Sequence, residues 1–361
     1  MSAIAAAWLS GGIALVASVV LPFAVRPLLV KLGIMDVPNE RSSHERPVLR
    51  GLGLAVLIAM VVAGVTAVLL FVLTPFVLPG WQVLLVVVVG SFCAGLLGLA
   101  EDLRGLSVGV RSALLLAIAL GAAVALLLTV QTGVNYVPAA GTASFGWPQA
   151  TALPLWGAIL LAVYAVLFIS SYINVANFMD GLNGISGFHG VIAGLTFAAA
   201  GAALGMPWLL AAGLILAAGF AGFLPWNLTK PGAFLGDVGS YLLGGAVAIT
   251  SFAALVAGVP LLATIGPMVI YFGDVAVTLV KRVRAGHRWD EPHKEHTYQR
   301  IQQLGYSHVQ ASGLAATATL LTSALGLGSL FTGLGGTIAL FAAGLVVLVG
   351  YLALPKLLPR R

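Results

Sequence analysis

Asn174, Asn177, Asp180 and Asn183 recur at three-residue intervals in an otherwise apolar and glycine-containing stretch. On a helix that spacing makes one polar stripe, and a stripe emerging from an apolar helix must face protein or water. Capping and packing explain one Asn or one Asp; four in register point to a ligand. Carboxylates gather elsewhere too. Glu101 and Asp102 close an apolar run, with Arg104 and Arg111 nearby. Adjacent acids are costly there unless paired or metal-bound, so they read either as ion pairs with those arginines or as a divalent-metal or phosphate site. Asp237 lies between Gly236 and Gly239, immediately before another apolar run. It reads as a plain N-cap or as a carboxylate exposed for Mg²⁺, which is typically held by one or two carboxylates plus substrate phosphates.

Basic and imidazole groups fill the remaining polar segments. Arg41, His44, Arg46 and Arg50 precede Gly51 and Gly53, which open an apolar run. A helix start presents free N–H groups that attract anions, so Arg50 beside one suggests a phosphate site; a basic loop that sets topology is the plainer reading. From Lys281 to His308, five further basic side chains, Arg282, Arg284, Arg288, Lys294 and Arg300, stand near His287, His293 and His296. The three-residue step from His293 to His296 suits a metal pair on a helix, but zinc needs further ligands, and Cys93 is the single cysteine. Phosphate or sugar contact is the favoured role. Asp274 sits inside an apolar run, where an acid is a functional candidate by default; an ion pair with Lys281 or Arg282 is the alternative.

The elements that hold these residues follow from composition. The 361 residues are 60% hydrophobic and 8% charged, against about 25% charged in an ordinary soluble domain. Soluble globular and disordered classes are excluded, leaving an all-α polytopic integral membrane protein. Windows of roughly 20 apolar residues give about 11 transmembrane helices, near 8–30, 51–73, 81–100, 111–131, 154–176, 189–205, 207–225, 239–257, 261–280, 309–331 and 336–354. The pair around Gly205 is the weakest division, which would make ten, and Pro267 should kink the ninth span. All 17 Lys and Arg fall on one set of alternate connections or at the helix ends bordering it. Such loops stay cytoplasmic, which places the N-terminus outside and the C-terminus in the cytoplasm. The 11 Asp and Glu lie on that side as well, so the active surface is expected to be built from cytoplasmic loops at about 31–50, 101–110, 177–188, 226–238 and 281–308. The uncharged outer segment 132–153, with Tyr136, Phe145 and Trp147, reads as an interfacial aromatic anchor.

In this order, the segments Pro-Asn-Glu-Arg-Ser-Ser-His44, Asn177-Phe-Met-Asp-Gly-Leu-Asn183-Gly-Ile, Phe234-Leu-Gly-Asp-Val-Gly-Ser240 and His296-Thr-Tyr-Gln-Arg300 followed by Gly305 resemble the polyprenyl-phosphate N-acetylhexosamine-1-phosphate transferase superfamily. Its other large branch is the phospho-N-acetylmuramoyl-pentapeptide transferases. The likeness runs from about Asp36 to His308 and is strongest to the bacterial branch that initiates O-antigen and other surface polysaccharides.

The resemblance implies a single transmembrane transferase domain over 1–361 in the bacterial inner membrane. Its reaction joins a UDP-N-acetylhexosamine, by default UDP-N-acetylglucosamine, to undecaprenyl or another polyprenyl phosphate, releasing UMP. It implies Mg²⁺, with Mn²⁺ as a substitute, no nucleic-acid partner, and leaves room for a homodimer. Carried over by position, Asp102, Asp180, Asp237 and His296 are the catalytic candidates. Asp237, Asn177 and Asp102 are the metal candidates. His44, Arg50, Glu101, Asn174, Asn177, Asn183, Asn227, His293 and Arg300 are the substrate-binding candidates. Three positions depart from the family pattern. A pair of aspartates appears as Glu101-Asp102, a second acid appears as Asn183, and a histidine cluster is reduced to His296. The last argues against a muramoyl-pentapeptide substrate. Two other classes compete: a transporter or flippase of a lipid-linked or anionic substrate, which would place polar groups near the bilayer midplane, and a catalytically dead relative acting as a scaffold.

Overall fold

The computed structural model describes residues 1–36, 48–73, 80–131, 154–229, 232–288 and 293–361. His44 with its motif, and the aromatic segment 132–153, lie outside the described residues. Among the described residues, eleven helical stretches are long and apolar enough to cross a membrane, one for each apolar run in the sequence. The chain is a multi-pass all-α membrane protein.

The spans are α1 (Ala3–Lys31), α2 (Gly53–Leu73), α3 (Trp81–Arg104), α4 (Val108–Gln131), α5 (Leu155–Met179), α6 (Ile185–Ala203), α7 (Pro207–Leu228) and α8 (Gly236–Val256). The ninth is broken into α9 (Leu261–Ile265), a 3-10 turn (Gly266–Met268) and α10 (Val269–Arg284). Pro267 stands at that break, as expected from its missing N–H. After the short α11 (Thr297–Gln303) come α12 (His308–Gly328) and α13 (Leu334–Leu357). Two two-residue strands, β1 (Met35–Asp36) and β2 (Val48–Leu49), pair antiparallel.

Several helices continue about a turn beyond their apolar runs, because backbone hydrogen bonding propagates through polar residues once a helix exists. Glu101 and Asp102 are therefore in the last turn of α3 rather than in a loop, and Asp237 is in the first turn of α8. The core is centred on α8, whose side chains are buried over nearly its whole length. Its glycines, alanines and serines let α3 and α5 approach closely, which is how helices associate in lipid without a hydrophobic driving force. At the other extreme, α13 buries a single side chain, Tyr351.

Candidate active site

The site forms where the ends of α3, α5 and α8 meet the chain entering α2. Leu49 of β2 forms a parallel bridge with Ala233, and the register continues through Phe234 N–H to Leu49 O (2.8 Å), Leu52 N–H to Phe234 O (3.1 Å) and Gly53 N–H to Leu235 O (2.8 Å). This pairing seats Arg50 against the first turn of α8. Its guanidinium joins two carboxylates: Nε lies 3.0 Å from Asp102 Oδ1 and a terminal nitrogen lies 2.8 Å from Asp237 Oδ2.

The two acids have different surroundings. Asp102 is 2% exposed. It accepts the N–H groups of Asp237 (3.1 Å) and Val238 (2.9 Å), so α3 supplies the carboxylate that caps α8. Those orphan donors and the positive end of the helix dipole favour an anion there. Asp237 is 20% exposed and turns its carboxylate away from its own helix. Close backbone approach makes this possible. A Cβ at Gly98 would overlap the Asp237 carbonyl, and Gly236, at φ +75°, has Asp102 Oδ2 2.8 Å from where its Cβ would stand.

The expected polar stripe divides. Helix α5 ends at Met179, and Asp180 leaves helical geometry at φ −82°, ψ 61°. Asn174 turns back to Ser170 O (2.9 Å), inside its own helix. Asn177 alone of the four bonds the central carboxylates, donating to Asp237 Oδ1 (2.9 Å) and also to Ser240 Oγ (2.9 Å). Asp180 accepts the Ser186 hydroxyl at 2.6 Å. Burial pushes its carboxyl up to about 7; the Ser186 bond opposes this, Asp237 and Asp102 add to it, and Arg50 lowers it. Asn183 donates to Asn227 O (2.5 Å) and faces His308 Nδ1 at 3.0 Å. Asn227 in turn accepts Gly184 N–H (2.5 Å) and donates to Ala233 O (2.9 Å). Asn183 and Asn227 thus tie the turn after α5 to the segment before α8.

Glu101 points away from the central pair, toward Leu106 N–H (3.0 Å) and Arg111 (3.5 Å). His293 and His296 do not share a helix: His296 is the N-cap of α11 and His293 precedes it. Their rings lie 4.8 Å apart, and burial lowers the His293 pKa to about 4, so that ring is neutral at pH 7. Tyr298 of α11 donates to Phe178 O at 3.0 Å, which docks the short helix against the turn carrying Asp180. Arg300 is exposed on α11. Asp274 pairs with neither Lys281 nor Arg282 but with His296, Thr297 and Tyr351. Arg282 is held by Glu295 and by Arg288 O (3.1 Å).

Among the described residues no three His, Cys, Asp or Glu side chains stand close enough to hold a metal by themselves. The donor chemistry at Asp237 nonetheless suits a hard divalent cation completed by phosphate oxygens. Asp237 presents a partly exposed carboxylate with the Asn177 amide beside it, whereas both Asp102 oxygens are engaged by α8. Sequence reasoning missed Ser186, Ser240 and Tyr298 as contacts of the site. Ser240 and Tyr298 stand inside the motifs quoted above and Ser186 directly follows one, which is the signal that could have found them.

Residues 84–255 match the model of glycosyl transferase family 4, a span that includes Asp102, Asn177, Asp180 and Asp237 but not Arg50 or His296. The chain is 29% identical over 292 residues to a probable undecaprenyl-phosphate N-acetylglucosaminyl 1-phosphate transferase of Bacillus subtilis, covering 79% of this chain and 74% of that protein. It is 29% identical over 325 residues to a decaprenyl-phosphate N-acetylglucosaminephosphotransferase of Mycobacterium tuberculosis, covering 82% and 76%. A phospho-N-acetylmuramoyl-pentapeptide-transferase of Synechococcus elongatus is 38% identical over 115 residues, 31% of this chain and 29% of that protein. With the ordered motifs and the helical membrane fold, these likenesses agree with the resemblance to the polyprenyl-phosphate N-acetylhexosamine-1-phosphate transferase superfamily and relate the chain to glycosyl transferase family 4.

Proposed function

We propose that this protein transfers N-acetylhexosamine-1-phosphate from a UDP-N-acetylhexosamine, by default UDP-N-acetylglucosamine, to undecaprenyl phosphate at the cytoplasmic face of the inner membrane. An oxygen of the lipid phosphate attacks the β-phosphorus of the nucleotide sugar. The bond from that phosphorus to the oxygen bridging the two phosphates breaks, and UMP leaves with the bridging oxygen. The product is polyprenyl-diphosphate-sugar, a first intermediate suited to surface-polysaccharide synthesis. The observation that carries this reading is the Asp102–Arg50–Asp237 bridge at the start of α8. It sets a cation and a partly exposed carboxylate at one end of an apolar bundle.

The chemistry asks mainly for charge control, because an anionic nucleophile must approach an anionic diphosphate. Arg50 supplies a fixed positive charge at the rim. Asp237, with Asn177, would hold Mg²⁺, which neutralises phosphate charge and polarises the phosphoryl oxygens. Asp102 fixes the helix start on which Asp237 rides. A phosphate monoester is already nucleophilic near neutral pH, so Asp180 is assigned to orienting the phosphate or nucleotide rather than to a demanding deprotonation. Asp274 gives no support to the transporter reading, since its carboxylate is fully buried and engaged by protein donors.

The test is UMP release by purified protein given undecaprenyl phosphate, Mg²⁺ and a panel of UDP-sugars. Release that requires lipid, metal and Asp237 is expected. Folded protein that releases no UMP with any sugar in the panel would overturn the proposal.

A further inference from the structure

Asp274 is completely buried in a membrane-spanning helix, where an acid is expensive unless fully engaged. Its carboxylate accepts three donors. Thr297 N–H reaches both oxygens at 3.0 and 3.1 Å, the Tyr351 hydroxyl reaches Oδ2 at 2.8 Å, and the Thr278 hydroxyl reaches Oδ1 at 3.2 Å. A fourth group, His296 Nδ1, stands 3.3 Å from Oδ1. An ionised carboxylate can only accept, so this contact puts the proton on Nδ1 and leaves Nε2 as the ring nitrogen not used by Asp274. The ring is also stacked in near-parallel planes on Tyr298, with centroids 5.8 Å apart. Tyr298 is itself fixed to the turn before Asp180 through Phe178 O.

The last helix supplies the remaining constraint. Tyr351 is the one buried side chain of α13, and its hydroxyl is spent on Asp274. Just beyond α13, Arg361 N–H donates to Leu304 O at 2.8 Å, and the Arg361 guanidinium lies 4.3 Å from the centre of the Tyr306 ring. Helix α13, which otherwise packs mainly against α12, therefore reaches Asp274 of α10 with its one buried side chain, and Arg361 beyond its end holds the segment after α11.

We propose that Asp274 and Tyr351 are positioning residues for His296: α13 acts as a strut that, through the buried carboxylate, fixes the imidazole so that Nε2 faces the substrate phosphates. The substrate assignment rests on the transferase reading; the positioning of the ring does not.

The experiment combines kinetics with histidine-labelled nitrogen NMR on the full chain. The set comprises wild type, Asp274→Asn, Tyr351→Phe, His296→Asn and the double variants His296→Asn/Asp274→Asn and His296→Asn/Tyr351→Phe. Asp274→Asn should lower kcat about 10- to 100-fold, the usual effect of losing a group that orients an active-site ligand, with KM for the UDP-sugar changed less than about threefold. Tyr351→Phe keeps the ring and should give a smaller loss in the same direction. In the His296→Asn background, Asp274→Asn should add less than about twofold, because its effect passes through the missing imidazole. The His296 signals, identified by their disappearance in His296→Asn, should report protonated Nδ1 in wild type and shift toward protonated Nε2 in Asp274→Asn. Multiplicative losses in the double variant, or an unchanged tautomer, would overturn the proposal. If Asp274→Asn does not fold, Tyr351→Phe carries both measurements, expected to give a kcat loss that vanishes in the His296→Asn background and a changed His296 signal; failure of either overturns the proposal. Absence of UMP release by wild type would instead count against the transferase reading, and the tautomer measurement would still decide the positioning.

Discussion

Asp102→Asn and Asp237→Asn should both abolish activity, yet only the first should weaken the fold. Asp102 is buried, caps α8 through two backbone N–H groups and pairs with Arg50. An amide in its place turns an NH₂ toward one of those donors. Losing a charge-assisted bond and leaving a buried donor unmet costs about 3 kcal/mol; the Arg50 pair adds little, because Arg50 is 38% exposed and screened by solvent. With an unfolding entropy of about 2.1 cal/mol/K per residue, a 361-residue chain loses about 4 °C in midpoint for that cost. Asp237 caps nothing, is 20% exposed, and its amide replacement can still accept from Asn177. Its cost should be about 1 kcal/mol or less, a shift near 1 °C. Catalysis reverses the order of interest. Removing the negative charge of Asp237 about 4 Å from one unit of cation charge, at an effective dielectric of about 20, forfeits about 4 kcal/mol, or about a thousandfold in rate. The assay is heating of detergent-solubilised protein at a fixed scan rate, followed by tryptophan fluorescence, alongside UMP release. Equal midpoints for the two variants, or a larger loss for Asp237→Asn, would refute the assignment of Asp102 as the cap of α8. Activity of Asp237→Asn above a tenth of wild type would refute its role in charge control.

Glu101 faces Arg111 and Leu106 rather than the central pair, so Glu101→Gln should change UMP release by less than about threefold, whereas a loss beyond tenfold would return it to the site. Gly98→Val should abolish folded protein in size-exclusion chromatography, because the new side chain would overlap the Asp237 carbonyl where α3 crosses α8; normal folding would show that this crossing is not held as described. The Asp180 carboxyl, raised by burial from its ordinary 3.8 to about 7, binds more protons folded than unfolded across that window. Stability should therefore fall as pH rises from about 4 to 7 and level off above it. In metal-free buffer the slope of thermal midpoint against pH between 5 and 7 should be less negative in Asp180→Asn, and identical slopes would remove the titration from Asp180. Chelation of divalent ions should stop UMP release and Mg²⁺ should restore it; turnover that persists in excess chelator would remove the metal from the proposal.

Some of this was written in local sequence. Apolar runs long enough to span a bilayer have no other stable solution than helices, so the eleven spans follow from composition and length, and the break in the ninth follows from Pro267. The residues that could do chemistry were also visible, because polar groups stand out against so apolar a chain. Their partners were not. The spacing of Asn174, Asn177, Asp180 and Asn183 suggested one helical face, but the helix stops at Met179 and each residue turns to a different neighbour. Arg50 meets Asp237 across 187 residues because β2 pairs beside Ala233, and Tyr351 meets Asp274 across 77 because α13 lies against α10. Hydrophobic periodicity is a property of neighbours in the chain, so it reports which segments cross the membrane. Which side chains share a hydrogen bond depends on how those segments pack. That is decided by small residues at crossings such as Gly98 and by carboxylates such as Asp102, which satisfies a helix other than its own.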